Sequence, residues 1–338
     1  MMGRVKSTNM FCFLLSVAVS VLMISCGPKP QQPLSQLDTP EHHTFSGIRL
    51  LDQEKFADAG REFELALRLD QGYSRAHAGA GLVKAYQGDF KGAFESLKQA
   101  EKYVRSDEEK IFVLVGYIRA NTVSHAACLH IGTSCKPDDA WVKYSKDAFD
   151  QAVAIDPKAA SPYYFMGECY LTALDLDQAG RLFSRVLDMN REHVGEADRR
   201  WKLVQKIQRA MPGTITGKKI ALVERITRAD VAALFMEELK IDTLYARRTP
   251  KNFDTAFKDP ERARTAASRL VTATDIADHP LKADIEGILR IGTRGLEVYP
   301  DGTFRPDEQI DRASYAMMIE DILIKVTGDN ALATRFIG

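Results

Sequence analysis

The sequence is short of most features that announce an enzyme. It has no glycine-rich phosphate loop, no His-Glu-x-x-His pair and no Gly-x-Ser-x-Gly elbow, so nucleotide-dependent, zinc-protease and serine-hydrolase chemistries have no motif to stand on. It has no excess of either charge. Its 46 basic residues balance 46 acidic ones, and a chain without a net field does not gather nucleic acid or an anionic surface by electrostatics. No dense basic patch offsets that balance, which argues against a nucleic-acid partner. A long apolar run is missing too: the stretch from Met10 to Ile24 ends too abruptly for a membrane span of about 20 residues. What remains is ordinary for a globular protein, with 45% hydrophobic and 27% charged residues in 338, enough for about two domains.

The short apolar run has a different meaning. Arg4 and Lys6 precede it and Ser25-Cys26-Gly27 follow at once, the organisation of an export signal over residues 1–25. Leu22, Ile24 and Ser25 ahead of the cysteine resemble the lipobox of bacterial lipoproteins, with Met23 where Leu is more usual. The resemblance implies that Cys26 becomes the lipidated first residue of the mature protein. Acyl chains then tether it to a membrane, each buried CH₂ contributing ~0.8 kcal/mol. Residues 26–40, rich in Pro, Gln and Ser, read as a flexible tether. Gly27 stands where inner-membrane lipoproteins carry Asp, so the expected location is the outer membrane, facing the periplasm.

An internal repeat organises the next 150 or so residues. Gly47, Ala59, Phe63 and Ala66 return 34 residues later as Gly81, Ala93, Leu97 and Ala100. The second-helix pattern returns again as Ser145, Phe149 and Ala152, and then as Ala179, Phe183 and Val186, while Gly116 and Gly167 sit in the matching first helices. Small residues let paired helices approach closely, and Phe63, Leu97, Phe149 and Phe183 fill the grooves between them. The stretches FADAGREFELALRLD, DFKGAFESLKQA, AFDQAVAIDP and LDQAGRLFSRVLDMN resemble the tetratricopeptide repeat. That resemblance implies a solenoid of four helical hairpins over residues 41–211, closed by a capping helix in EADRRWKLVQKIQRAMP, with a groove that binds a protein partner.

The third hairpin is interrupted over about residues 124–140, between a helix near Lys110–Val123 and one that starts near Trp141. His125, Cys128, His130 and Cys135 fall in that insertion. Their spacing matches no standard zinc pattern and the haem signature Cys-x-x-Cys-His is absent, so no metal and no cofactor are expected. Export to an oxidising compartment makes a Cys128–Cys135 disulfide the better reading. Cys169 lies in a helical pattern and reads as a small core residue.

A second resemblance lies further on. YPDGTFRPDEQIDRA, within residues 272–326, closely resembles the S-layer homology module, a small helical unit that holds proteins to cell-wall glycans. ERITRADVAALFMEELKI, within 219–241, resembles the second half of another copy. Pro300-Asp301-Gly302 is turn chemistry, with Phe304 as the apolar anchor. Thr227 with Asp230 forms a capping box, and Asp311 can cap the other helix. Ala232, Ala233, Phe235, Met236 and Leu239 read as the buried side of the first helix; Ala316, Met317, Ile319, Ile322 and Leu323 read as that of the second. Arg228 and Arg312 each follow a cap, where the helix dipole disfavours a cation by ~0.3–1 kcal/mol, so each needs a partner elsewhere. The resemblance implies an acidic glycan, gripped with help from Asp301 and Gly302; an ion pair to Asp301 or Asp275 is the alternative. Pro280 after His279, and Asp311 and Ser314 flanking Arg312, depart from the family's Trp, Thr and Glu.

The expected fold is therefore all-α: a hairpin solenoid and then a smaller helical domain over 219–326. The expected function is a lipid-anchored, non-catalytic envelope scaffold that binds a protein through its groove and peptidoglycan or another wall glycan through its C-terminal module. The alternative is an accessory lipoprotein of a secretion, pilus or export assembly whose C-terminal module is purely structural.

Overall fold

A computed structural model describes residues 38–129, 140–248 and 273–328. Among them the regular structure is helical, with a single isolated bridge between Thr227 and Gln309 and no strand. The chain forms two compact units, Met1–Ala127 with Asp138–Pro157, and Cys128–Pro137 with Lys158–Gly338. The division falls inside the residues read as one solenoid. The fourth hairpin and its capping helix share a unit with the C-terminal module.

The first unit holds α1 (Pro40–Asp52), α2 (Phe56–Leu69), α3 (Ser74–Tyr86), α4 (Phe90–Lys102), α5 (Asp107–Leu129, to Ala127 in this unit) and α6 (Trp141–Ile155). Short turns join α1 to α2 and α3 to α4, and α1 packs on α2, α2 on α3 and α3 on α4. The turns repeat as faithfully as the helices. Glu54 and Gly88, one repeat apart, both take a left-handed backbone, at φ 60° and 88°. Gly88 adopts it freely, whereas Glu54 accepts local strain to keep the hairpin short. Asp89 then caps α4 through the Gly92 amide, 2.9 Å away.

The repeated small residues do what their spacing predicts. Ala59, Phe63, Ala66, Ala93, Leu97 and Ala100 are all fully buried. A Cβ on Gly47 would lie 2.7 Å from the Phe63 ring, and one on Gly79 would press the same ring atoms from α3. Phe63 is thus held between two glycine-lined helices. Gly116 stands 2.7 Å from Leu97 in the same sense.

The insertion starts later than its sequence suggests. Helix α5 continues six residues past Val123 to Leu129, because nothing in TVSHAACL breaks a helix and His125 stacks on Trp141, the first residue of α6, with ring centroids 4.1 Å apart. The Cys128–Cys135 pairing lies outside the residues whose side chains are described, as do His130, the signal, Cys26 and the tether up to residue 37; the last of the tether's expected residues, Thr39 and Pro40, instead cap and begin α1.

The second unit begins with α7 (Ala160–Thr172), α8 (Leu176–Met189) and α9 (Val194–Ala210). They repeat the same device: Leu174 is left-handed at φ 61°, Asp175 caps α8 through the Gln178 amide at 3.0 Å, and a Cβ on Gly167 would lie 2.7 Å from Phe183. Cys169 is fully buried here, as expected of a core residue. Helix α9 buries Ala197, Val204 and Ile207 against α8. The chain then passes through α10 (Ile215–Ile220), α11 (Arg228–Ala233) with a π-helical turn over Leu234–Glu238, α12 (Ile241–Arg248), α13 (Lys282–Ile291) and α14 (Arg312–Thr327). Phe235, Ile285, Ile288 and Phe304 form a separate core at whose centre α11 lies. Glu238 in the π-helical turn accepts the Gly213 and Thr214 amides at 3.0 and 2.8 Å, which fixes the connection leaving α9.

Replacement of Gly47 or Gly167 by Ala gains roughly 0.8–1 kcal/mol of helix propensity but drives a methyl into a buried ring. The expected net loss is about 1–2 kcal/mol, read as a thermal midpoint lowered by roughly 2–8 °C. The same change at Gly88, where a Cβ meets nothing within 4 Å, should cost only its backbone strain.

Candidate functional site

Among the described residues, two groups of polar side chains bear most on function. The first is on the first helices of the hairpins. Arg119 of α5, only 9% exposed at its side chain, reaches Asp52 at the end of α1 at 3.6 Å and the Tyr86 hydroxyl of α3 at 3.3 Å. Tyr86 in turn stacks on Phe56, with centroids 5.0 Å apart. Three successive first helices are thereby latched at one end. In the second unit Tyr164 and Glu168 of α7 face Arg200 of α9, whose Nε stands 2.8 Å from the Glu168 carboxylate. Burial pushes the Glu168 pKa up against the pull of Arg200, and burial with the Glu168 charge pushes Tyr164 up to about 12. None of these pairs sets a base beside a nucleophile. They tie neighbouring helices together.

The second place is built on Arg228. Thr227 and Asp230 form the expected capping box, and the Arg228 and Ala229 amides donate to the Glu308 and Pro306 carbonyls at 2.9 and 3.0 Å. Arg228 as a residue is only 6% exposed. Its Nε, Nη1 and Nη2 donate to the carbonyls of Phe304, Gly295 and Glu297, each at 2.8 Å, while its carbon lies 4.8 Å from the centroids of both Tyr299 and Phe304. The ion pair with Asp301 or Asp275, the alternative to a glycan contact, does not form at Arg228. Three carbonyl dipoles and two aromatic rings take its place.

Asp301 and Asp275 instead shape the turn that supplies those carbonyls. Asp301 accepts the Thr303 amide at 3.0 Å and its hydroxyl at 2.6 Å, and it pairs with Arg305 at 3.0 Å. Thr303 first, then Arg305, holds its carboxyl down at about 2. Gly302 supplies the left-handed residue at φ 82° and donates to the Tyr299 carbonyl. Asp275 takes the Phe304 and Arg305 amides, each at 2.7 Å; burial opposes its charge, the two amides outweigh burial, and its pKa is lowered.

Arg312 differs from Arg228 in every respect but its register. It occupies the first turn of α14 after the Asp311 cap, exposed and with no hydrogen bond or ion pair among the described residues. The burial expected for α14 is corrected with it. Met318 and Ile322 point into the core, whereas Ala316 is exposed, Met317 is 46% exposed and Leu323 48%. Leu239, expected inside, is 42% exposed as the π-helical turn ends. Of the four residues read together as one site, the structure joins Asp301 and Gly302 in one turn. It buries Arg228 against the carbonyls next to that turn and leaves Arg312 apart. Sequence reading missed Gly295 and Glu297, whose carbonyl acceptors leave no mark in side-chain identity. It also missed the Arg119 latch, for which only the repeat spacing of Asp52 and Tyr86 gave a signal.

Among the described residues no three His, Cys, Asp or Glu side chains are grouped to hold a metal, and no helix is long and apolar enough to cross a membrane. Arg228→Ala strips three carbonyls, that of Phe304 buried and those of Gly295 and Glu297 partly so, of their donors at ~1 kcal/mol each, so the unit holding α11 should lose on the order of 2–3 kcal/mol. Arg228→Lys should rescue little, because an ammonium cannot match three fixed directions. Asp301 and Asp275 stabilise the fold fully above their ordinary value of 3.8 and lose that contribution as pH falls through their lowered values, about 2 for Asp301. Thermal unfolding followed from pH 5 to pH 2 should therefore fall more steeply for the natural chain than for Asp301→Asn.

In comparisons with known proteins, the chain matches no family model and no curated sequence.

Proposed function

We propose that this protein is a non-catalytic scaffold of the bacterial envelope, exported and lipid-anchored at Cys26, that binds a protein through its tetratricopeptide-like hairpins. The observation that carries the reading is the repeated glycine-against-anchor contact at Gly47, Gly116 and Gly167, which makes the hairpins stiff units with first helices latched across repeats. Hairpins packed in this way present side chains at fixed spacing within each unit and need no chemistry of their own. The buried Arg228 favours the accessory version of the scaffold, in which the S-layer-homology-like module serves as structure within a secretion, pilus or export assembly.

One observation supports the second reading, binding of peptidoglycan or another wall glycan: Arg312 keeps an exposed guanidinium that an acidic saccharide can grip. Two measurements separate the readings. Affinity capture from envelope extracts should recover a discrete complex with the natural chain and equally with Arg312→Ala, and Cys26→Ala should move the protein off the membrane. Recovery of no complex by the natural chain would remove the scaffold reading. In sedimentation with peptidoglycan sacculi, glycan binding requires several-fold less pelleting by Arg312→Ala; a natural chain that stays in the supernatant rules it out.

A further inference from the structure

His43 of α1 stands between two carboxylates. Its Nδ1 lies 2.7 Å from Oε2 of Glu62 on α2, and its Nε2 lies 2.8 Å from Oδ1 of Asp38, the residue before the Thr39 cap of α1. The side chains of His43, Glu62 and Asp38 are largely shielded, at 15%, 28% and 18% exposure. An ionised carboxylate only accepts hydrogen bonds, and a neutral imidazole has a single N–H. Both contacts are therefore hydrogen bonds only while the ring is an imidazolium. A neutral ring must turn a lone pair toward one of the two acids.

The repeat does not call for this arrangement. One repeat on, His77 takes the register of His43, but Ser96 stands where Glu62 does and Gly72 where Asp38 does. His77 is served instead by the Gln71 carbonyl at 2.8 Å and by the stacked ring of Tyr103. The core that joins α1 to α2, with Gly47 against Phe63 and Ala59 buried beside them, is apolar and indifferent to the charge on His43. Besides Glu62 from α2 and Asp38 from the chain before α1, the ring meets His42 edge-on, with centroids 5.9 Å apart. Helix α3 also packs on α1 but brings no charged group to His43 among the described residues.

We propose that His43 is a proton-operated clasp: charged, it ties Asp38, and with it the entry of the chain into α1, to α2; neutral, it loosens Asp38 and leaves the hairpin standing. Asp38 is the side that gives way because it precedes the cap and lies in no helix, whereas Glu62 is carried by a helix whose buried side holds it in place. Burial is the largest influence on the ring and opposes its charge. The hydrogen bonds and charges of Glu62 and Asp38 together outweigh burial and raise the pKa above its ordinary 6.5. The clasp is therefore fully closed below 6.5 and opens as pH rises through the raised value. It sits where the fold meets the residues that lead back to Cys26. The inference goes beyond the scaffold reading and does not rest on it.

The test follows the full chain by two readouts. Nuclear magnetic resonance of ring-labelled histidine should give His43 a titration midpoint above 6.5, and Asp38→Asn should bring that midpoint down. As pH is raised from 6 through the midpoint, amide hydrogen exchange corrected for its intrinsic pH dependence should quicken about fivefold over residues 38–43, the loss of one charged hydrogen bond. Exchange over 57–69 should stay level. His43→Gln, uncharged at every pH, should flatten the response, and His77→Gln should leave it intact. A midpoint at or below 6.5, a midpoint that Asp38→Asn does not move, or exchange over 38–43 that stays level across the midpoint overturns the proposal. So does exchange that changes equally in the natural chain and in His43→Gln. Asp38→Asn alters a side chain outside every helix, so the test stands even where His43→Gln fails to fold. Neither readout involves a partner protein, and failure here leaves the envelope-capture result intact.

Discussion

A pair of helices joined by a short turn exposes more apolar surface than it can cover, and this constraint runs through the whole chain. Phe63 shows how it is met. The ring belongs to α2, but it is enclosed by Gly47 of its own hairpin and Gly79 of the next, so neither hairpin has a finished core without the other. Each fully buried aromatic side chain contributes about 1.5–3 kcal/mol, more than a single exposed ion pair supplies. Stability is therefore distributed along the array, and the polar groups on the first helices can vary without undoing it.

The C-terminal module solves the same problem with different parts. Its two helices are linked by a long turn rather than a tight one, and α11 enters the core of the copy that follows. A cation at a helix N-terminus is ordinarily a liability. Here the local dipole is opposed by three carbonyls 2.8 Å from the guanidinium, an arrangement close to the reversed end of a helix. The arginine joins copies because its planar fork can satisfy several fixed acceptors at once, which no other side chain does as well. The negative charges of Asp301 and Asp275 act one step back, on the amides that give the turn its shape.

The repeats were legible in the sequence because burial by shape leaves a trace in residue size. Gly47, Ala59, Phe63 and Ala66 recur as a set because a larger residue at any of them would collide. The capping residues Thr227, Asp230 and Asp311 were legible for a similar reason, since a side-chain oxygen at that position has one favoured use. The partner of Arg228 was not legible. Backbone carbonyls are present at every residue, and only the folded turn selects those of Gly295, Glu297 and Phe304. The extension of α5 to Leu129 was obscured by reading a histidine and cysteines as an insertion, when their helix propensity permits continuation and Trp141 supplies a surface for His125. The true buried face of α14 was hidden because Ala316, Met317, Met318 and Ile319 are all apolar, so hydrophobicity alone could not fix the helix's rotation.

That last ambiguity carries meaning of its own. A helix whose apolar residues extend around more than the side it buries is either wasteful or serves two neighbours. On α11 the surplus has a use, for the same positions that lie open on α14 are the ones it gives to the next copy.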